Sequence, residues 1–132
     1  MKFFGLKILA TALKKARHMS TLSGHKFKIG AVIVRKGRIL SSGCNQAFKT
    51  HTYINDHGED FNKTVHAEIC AIFRLKNREL LRGSTIVVYR EKKDGSFARA
   101  RPCPMCFELI RKYGIKKMQY TTDAGIEEEY VA

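Results

Sequence analysis

The stretch KIGAVIVRKGRILSSGCN, residues 28–45, carries the clearest secondary-structure pattern of the chain. Its first part, 28–34, is apolar and rich in β-branched residues, which is typical of a buried strand. Lys36-Gly37 fits a tight turn, and residues 38–42 return as a second strand antiparallel to the first. The stretch therefore predicts a β-hairpin whose first strand lies inside a sheet.

Upstream of this hairpin, residues 1–19 are basic and partly apolar. Apolar residues recur there every three or four positions, which predicts an amphipathic helix packed on the core: Phe3, Leu6, Leu9, Leu13 and Ala16. Lysines and an arginine interrupt the run too often for a signal peptide. A helix lying on a membrane surface is the alternative, because its other face is cationic. No apolar stretch reaches transmembrane length, so we expect a soluble, cytoplasmic protein without a membrane partner.

Downstream, the pattern alternates between helices and strands. Residues 44–65 are polar and predict a long loop, and residues 66–77 have helical spacing with Thr64 as a possible cap. A strand at 84–90, a charged loop or hairpin-like excursion at 92–100 and a helix at 103–113, ended by Gly114, follow. Strands at 115–121 and 126–131 flank a turn signal at 123–125. This order predicts an α/β fold with a mixed five-stranded sheet, helices on both faces and an antiparallel last pair of strands.

Length and composition fit one globular unit. With 132 residues, 44% of them hydrophobic, the chain can build one core but not two. It has no repeat and no low-complexity segment, so residues 1–132 are expected to form a single domain.

Charge is the strongest compositional signal. The 25 Lys and Arg residues outnumber 12 Asp and Glu residues, which gives a net charge of +13. Such a field attracts polyanions, so single-stranded nucleic acid is an expected partner. The alternatives are a solvated basic surface without a partner, and a phosphorylated small molecule, which needs only a few of these charges.

Two short motifs carry the chemistry: His66-Ala67-Glu68, and Pro102-Cys103-Pro104-Met105-Cys106. In a reducing compartment a C-x-x-C pair indicates metal or redox chemistry more than a structural disulfide. At the start of a helix, both sulfurs can face one ion and the positive helix end favours thiolate. One His and two Cys leave the fourth tetrahedral position of a Zn²⁺ ion to water, which is typical of a catalytic site.

Glu68 is the candidate proton carrier. Two residues after His66, its side chain points about 200° around the helix from the histidine, which makes it a poor fellow ligand. At a helix start beside a cleft, a carboxylate can take a proton from metal-bound water and return it to a leaving amine. H-x-E combined with P-C-x-x-C is the known signature of zinc-dependent nucleobase deaminases.

With these motifs, the sequence resembles the cytidine/deoxycytidylate deaminase superfamily over roughly residues 24–121, hairpin included. The resemblance implies a three-layer α/β/α fold, zinc ligands His66, Cys103 and Cys106, and Glu68 as general acid/base. It also implies substrate contacts: the side chain of Asn45, the backbone N–H of Ala67 that holds the base carbonyl, and the carbonyl of Arg101 that faces the exocyclic amine.

Three features depart from compact members of that superfamily. About 20 residues separate Asn45 from His66, and this longer segment suggests a lid or a nucleic-acid contact. A basic insert precedes Pro102 and comprises Lys92, Lys93, Arg99 and Arg101. The antiparallel last strand resembles the free-nucleoside branch and some toxin-like deaminases.

Several residues have two interpretations. Cys70, one helical turn after His66, could close a purely structural zinc site or be a small core residue. Five residues of the long loop could form a second metal site or could simply be solvated: His51, Asp56, His57, Glu59 and Asp60. Aromatic residues near the predicted site could stack on a base or pack against their own loops: Tyr53, Phe97 and Tyr120.

The expected function is hydrolytic deamination of cytosine to uracil, with a single-stranded polynucleotide favoured as substrate. Free dCMP, CMP or (deoxy)cytidine is the first alternative, and adenosine in tRNA is the second. A non-catalytic, zinc-containing nucleic-acid-binding module is the alternative from another class. Many superfamily members assemble as dimers or tetramers, and no feature of this chain decides its oligomeric state.

Overall fold

The computed structural model describes residues 3–23, 27–47 and 64–131. Its elements follow in the order α1 (Phe3–Thr21), β1 (Ile29–Arg35), β2 (Arg38–Cys44), β3 (Gln46–Ala47), β4 (Thr64–Val65), α2 (Ala67–Arg74), a 3-10 helix (Arg78–Leu81), β5 (Thr85–Arg90), α3 (Pro104–Lys112), β6 (Lys117–Thr122) and β7 (Gly125–Tyr130).

Five strands form one mixed sheet in the order β2-β1-β5-β6-β7. β1 is antiparallel to both β2 and β5, β5 is parallel to β6, and β6 is antiparallel to β7. The predicted mixed sheet with an antiparallel last pair is therefore confirmed. The turn between β1 and β2 is also as predicted: Lys36 and Gly37 have φ values of 50° and 76°, the left-handed pair that matches strand twist in two-residue hairpins.

Helices cover both faces of the sheet. On one face, buried Ala12 and Ala16 of α1 join a cluster with Val32 and Val87. On the other, α2 and α3 pack against a larger cluster that includes Ile33. Successive β1 residues thus face opposite layers, and both layers are apolar. This explains why residues 29–34 form a continuous apolar run, and it confirms the predicted three-layer fold.

Two predicted boundaries around α2 are wrong. The N-cap residue is His66, and Thr64 belongs to the strand Thr64–Val65, which pairs with Gln46–Ala47. The helix ends at Arg74 instead of residue 77, since Leu75 is extended. Asn77 instead caps the 3-10 helix, its side chain accepting a hydrogen bond from the Glu79 amide at 3.3 Å. Residues 75–77 are therefore not helical, and a separate short helix follows them.

The predicted loop at 44–65 is shorter than expected at both ends, because β2 extends to Cys44 and β3 pairs with β4. Tyr53 and the five residues considered for a second metal site, between His51 and Asp60, lie outside the described residues. The interpretations of these residues stay predictions. No helix in the described part of the chain has the length and apolarity needed to cross a membrane.

Close packing at Gly43 fixes α2 against the sheet. A Cβ atom there would lie 2.6 Å from the Cβ of Cys70 and 2.7 Å from the backbone nitrogen of Ala71, so the helix would have to move. We expect Gly43→Ala to lower the free energy of unfolding by about 1–3 kcal/mol, measured by urea denaturation. The control is Gly37→Ala, whose Cβ meets no described atom within 4 Å and is opposed only by its positive φ, at about 1 kcal/mol. A smaller loss for Gly43→Ala than for this control would contradict the packing account.

Candidate active site

Two helix N-termini converge on the candidate metal ligands. His66 is the N-cap residue of α2 and Cys103 is the N-cap residue of α3, both with extended backbone. Pro104 follows at the first position of α3, where its missing N–H has no helical partner to lose. Cys106 lies in the first turn and is fully buried. The motifs on residues 66–68 and 102–106 therefore meet at one place, between two positive helix ends.

The spacing of the three ligand atoms fits zinc. Nδ1 of His66 lies 3.2 Å from Sγ of Cys106 and 3.5 Å from Sγ of Cys103, and all three atoms lie within 4.8 Å of one another. Zn–S distances of about 2.3 Å and Zn–N distances of about 2.0–2.1 Å give N–S edges of about 3.5 Å in a tetrahedron. The arrangement of His66, Cys103 and Cys106 thus fits a Zn²⁺ ion.

Electrostatics at the cluster favour the thiolate form of Cys103. The hydrogen bond from Cys106, followed by that from His66, lowers the pKa of Cys103 to about 4, against the opposing effect of burial. The hydrogen bond with Cys103 raises the pKa of His66. At neutral pH Cys103 is therefore a thiolate, the form that ligates metal.

No fourth protein ligand joins the cluster in the described ranges. The group of His, Cys, Asp and Glu atoms close enough to share an ion comprises three residues and does not include Cys70. Cys70 is partly buried against the core on α2. Three protein ligands leave one coordination position open, as catalytic zinc sites do.

Glu68 lies in the first turn of α2 and is almost completely buried, with 5% of its surface exposed. Burial raises its pKa, partly offset by the charge of His66. Carboxyl groups with raised pKa values are suited to exchanging protons near neutral pH. Neighbouring Ala67 is the first residue of α2, and the helix begins its hydrogen bonding later, from the Cys70 amide to the His66 carbonyl. The Ala67 amide therefore has no acceptor within the helix.

Asn45, the predicted substrate contact, is buried directly after β2. Its Oδ1 accepts a hydrogen bond from the Ile29 amide at 2.9 Å, and its Nδ2 donates to the Phe27 carbonyl. The side chain thus binds the chain that enters β1. Substrate contact by Asn45 stays a prediction.

A side-chain cluster that the sequence did not predict lies around Arg101, two residues before Cys103. Nε and Nη2 of Arg101 donate to the two carboxylate oxygens of Glu129, at 2.7 and 3.2 Å, and the Tyr120 hydroxyl donates to the same carboxylate. Tyr120 is 3% exposed, and Phe97 packs edge-on against Tyr89 at 5.7 Å. Taken alone, the acidic run at 127–129 is typical of a solvated face. In the antiparallel pair of β6 and β7, Tyr120 pairs with Glu127 and therefore lies diagonally across from Glu129. This cross-strand relation is the signal that could have indicated the contact between Tyr120 and Glu129.

This cluster predicts a measurable acid dependence. The Arg101 guanidinium, followed by the Tyr120 hydroxyl, lowers the pKa of Glu129 to about 2, against about 4.3 in an unfolded chain. Its stabilisation is therefore complete above about pH 4.3 and is lost as the pH falls through 2. The pair is about one-third exposed, so we expect about 1 kcal/mol or less. In thermal unfolding, Glu129→Gln should be less stable than wild type at pH 6, and the difference should shrink as the pH falls from about 4.3 towards 2. A constant difference would contradict the assignment.

Comparison with known proteins agrees with this geometry. The family described as "Cytidine and deoxycytidylate deaminase zinc-binding region" matches residues 6–122. The apo dCMP deaminase from the cyanophage S-TIM5 is 28% identical, with a TM-score of 0.67 over 92% of this chain and 86% of that one. The same enzyme in complex with dCMP and dUMP is 25% identical, with a TM-score of 0.64 over 92% and 84%.

A third structure, cytidine deaminase from Burkholderia pseudomallei, shares the fold at 18% identity, with a TM-score of 0.67 over 92% of this chain and 91% of that one. A search of curated protein sequences finds no match.

Proposed function

This chain belongs to the cytidine and deoxycytidylate deaminase family, and from that premise we propose that it is a zinc-dependent hydrolase that replaces the amine of a cytosine base with a carbonyl oxygen. The observation that carries the proposal is that one imidazole and two thiols close enough to share a metal ion lie with one buried carboxyl group at the starts of two helices.

The proposed roles follow from the chemistry of each group. Bound zinc would lower the pKa of a water molecule to near 7 and so supply a nucleophile at neutral pH. Glu68 would accept a proton from that water and donate it to the departing amine, which leaves as ammonia. Its burial supports this role, because a carboxyl group with a raised pKa can both accept and donate near neutrality.

Residues around the ligands would orient the base. The Ala67 amide, which has no acceptor within α2, would donate to the base carbonyl. The Arg101 carbonyl would accept from the exocyclic amine, and Glu129 would steady this segment by holding the Arg101 guanidinium. Asn45, which lies at the entrance to β1, would contact the substrate. Buried Tyr120, whose hydroxyl donates to Glu129, would help Glu129 to hold the Arg101 guanidinium.

We propose a cytosine nucleotide as the substrate class. The similarity at 25% identity to a deaminase crystallised with dCMP and dUMP supports a phosphate-bearing substrate. A second form of the same substrate, cytosine within a single-stranded polynucleotide, is supported by the net charge of +13.

One experiment tests the function and separates the two forms. The purified zinc-loaded protein is incubated with dCMP, cytidine, a cytosine-containing single-stranded oligonucleotide and an adenosine-containing tRNA hairpin, and base conversion is followed by mass spectrometry. If dCMP is converted and the oligonucleotide is not, the substrate is the free nucleotide. If the oligonucleotide is converted and dCMP is not, the substrate is the polynucleotide. Turnover of adenosine alone would contradict the cytosine assignment. Zinc binding without turnover of any of the four would favour a non-catalytic module.

A further inference from the structure

The two helices that begin at the metal cluster also end together. The rings of Phe73, near the end of α2, and Tyr113, just after α3, meet edge-on at 6.0 Å. Eight residues of α2 span about 12 Å. A surface at the shared C-terminal end of these helices thus lies about 12 Å from the candidate zinc ligands.

Cations gather at this end, which we name the basic end and define by Lys76, Arg78, Arg82, Arg111, Lys112 and Lys116. The Arg78 guanidinium lies 4.7 Å from the Phe73 ring centre, and Lys112 Nζ lies 5.7 Å from that of Tyr113. Backbone hydrogen bonds from Gly83 to Gly114 and from Lys116 to Ser84 join the two segments. Residues distant in sequence therefore form one continuous surface.

The hairpin turn extends the same surface. Val34 pairs with Thr85, and Thr85 pairs with Lys117, so the turn that follows Val34 lies at the same end of the sheet as Lys116. This turn contributes Arg35, Lys36 and Arg38. Together with the basic end, it brings nine of the chain's 25 Lys and Arg residues to one end of the fold.

Few carboxylates balance these charges. In the described part of the chain, the one ion pair that involves the basic end joins Arg111 to Glu108, at 4.0 Å and largely exposed. By contrast, the insert that the sequence suggested for nucleic-acid contact is partly neutralised, since Lys92 pairs with Asp123 and Arg101 with Glu129. Unpaired positive charge is therefore concentrated at the basic end more than at the insert.

An exposed aromatic ring lies beside these cations. Tyr130, the last residue of β7, is 66% exposed and pairs with Lys117, whose Nζ lies 6.0 Å from the ring centre and 3.3 Å from the Glu128 carboxylate. The Val131 amide, one residue later, donates to the Lys116 carbonyl at 2.9 Å. Aromatic rings next to a cationic groove are the elements with which proteins stack bases while they track a phosphate backbone.

We infer, resting on the polynucleotide form of the proposed substrate, that the basic end together with Tyr130 binds single-stranded nucleic acid. Its cations contact phosphates, and Tyr130 stacks on one base. At a rise of about 3.4 Å per nucleotide, about four nucleotides span the 12 Å to the metal cluster. A strand with its cytosine at the metal and at least that flanking length reaches both sites.

The test measures binding without catalysis. A fluorescent 15-nucleotide oligothymidine, which has no cytosine, is titrated with wild type, Lys112→Gln/Lys116→Gln and Tyr130→Ala, and binding is followed by anisotropy at several salt concentrations. We expect about a tenfold weaker affinity for the double lysine variant and a salt dependence shallower by about 1.4, or 0.7 for each lost phosphate contact. Tyr130→Ala should also weaken binding about tenfold, with an unchanged salt dependence.

Matched controls are Lys14→Gln/Lys93→Gln, which removes the same charge at exposed positions elsewhere, and Leu22→Ala, which removes another exposed apolar side chain. Equal weakening in test and control variants, or none in either, would overturn the proposed surface. Polyglutamate is titrated as a second polyanion, a probe for an acidic protein partner. A test variant that loses polyglutamate binding but keeps oligothymidine binding would also overturn the proposal, because the partner would then be an acidic protein. Turnover of dCMP by the same variants reports on the deaminase separately, so either proposal can fail alone.

Discussion

Replacing Glu68 with glutamine is expected to leave zinc bound and to lower the rate of cytosine deamination by about 10²–10⁴-fold, the usual contribution of a general acid/base. Glutamine keeps the volume of this buried side chain but cannot accept or return a proton. The measurement is turnover of cytosine substrate under saturation, together with zinc content for each preparation.

The matched control is Glu79→Gln, which removes a carboxylate from an exposed position on the 3-10 helix. This variant should deaminate at the wild-type rate. A Glu68→Gln enzyme of normal activity would remove the proton-transfer assignment. A variant that lost zinc along with activity would show instead that Glu68 supports the metal site.

Replacing Cys106 with alanine is expected to weaken zinc binding by more than 100-fold, since even the loss of an outer-shell partner costs about 10–100-fold. Deamination should fall with zinc content. Cys106 is fully buried in the first turn of α3, and its sulfur is one of the three atoms close enough to share a metal ion. Zinc affinity is measured by competition with a chromogenic chelator.

Cys70→Ala provides the control, because it makes the same substitution one turn along α2 from His66 and outside the ligand group. It should retain wild-type zinc affinity and activity. Comparable zinc loss from both variants would mean that Cys70 closes the coordination sphere, and the site would then be structural.

The fold could be predicted where local patterns and long-range packing agree. The apolar run at 29–34 predicted a strand because both faces of β1 are buried, and Lys36-Gly37 predicted the hairpin because its backbone suits that turn. Zinc could be predicted from residue types alone, because an imidazole and two thiols in these motifs have few other uses.

What the sequence could not show depends on contacts between distant segments. Thr64 was an acceptable cap by type, but its pairing with Ala47 places it in a strand. Glu129 lies in an acidic run that is typical of a solvated face, and only the pairing of β6 with β7 places it near Tyr120 and Arg101. The basic end combines two segments that are distant in sequence, and the hairpin turn adds a third, so only the fold brings their charges together.

X-ray absorption spectroscopy of the purified protein, combined with elemental analysis, tests the open zinc site most directly. The account predicts one zinc per chain, bound by two sulfur atoms, one imidazole nitrogen and one light atom from solvent. Absence of zinc after careful purification, or a third sulfur in the coordination sphere, would contradict it.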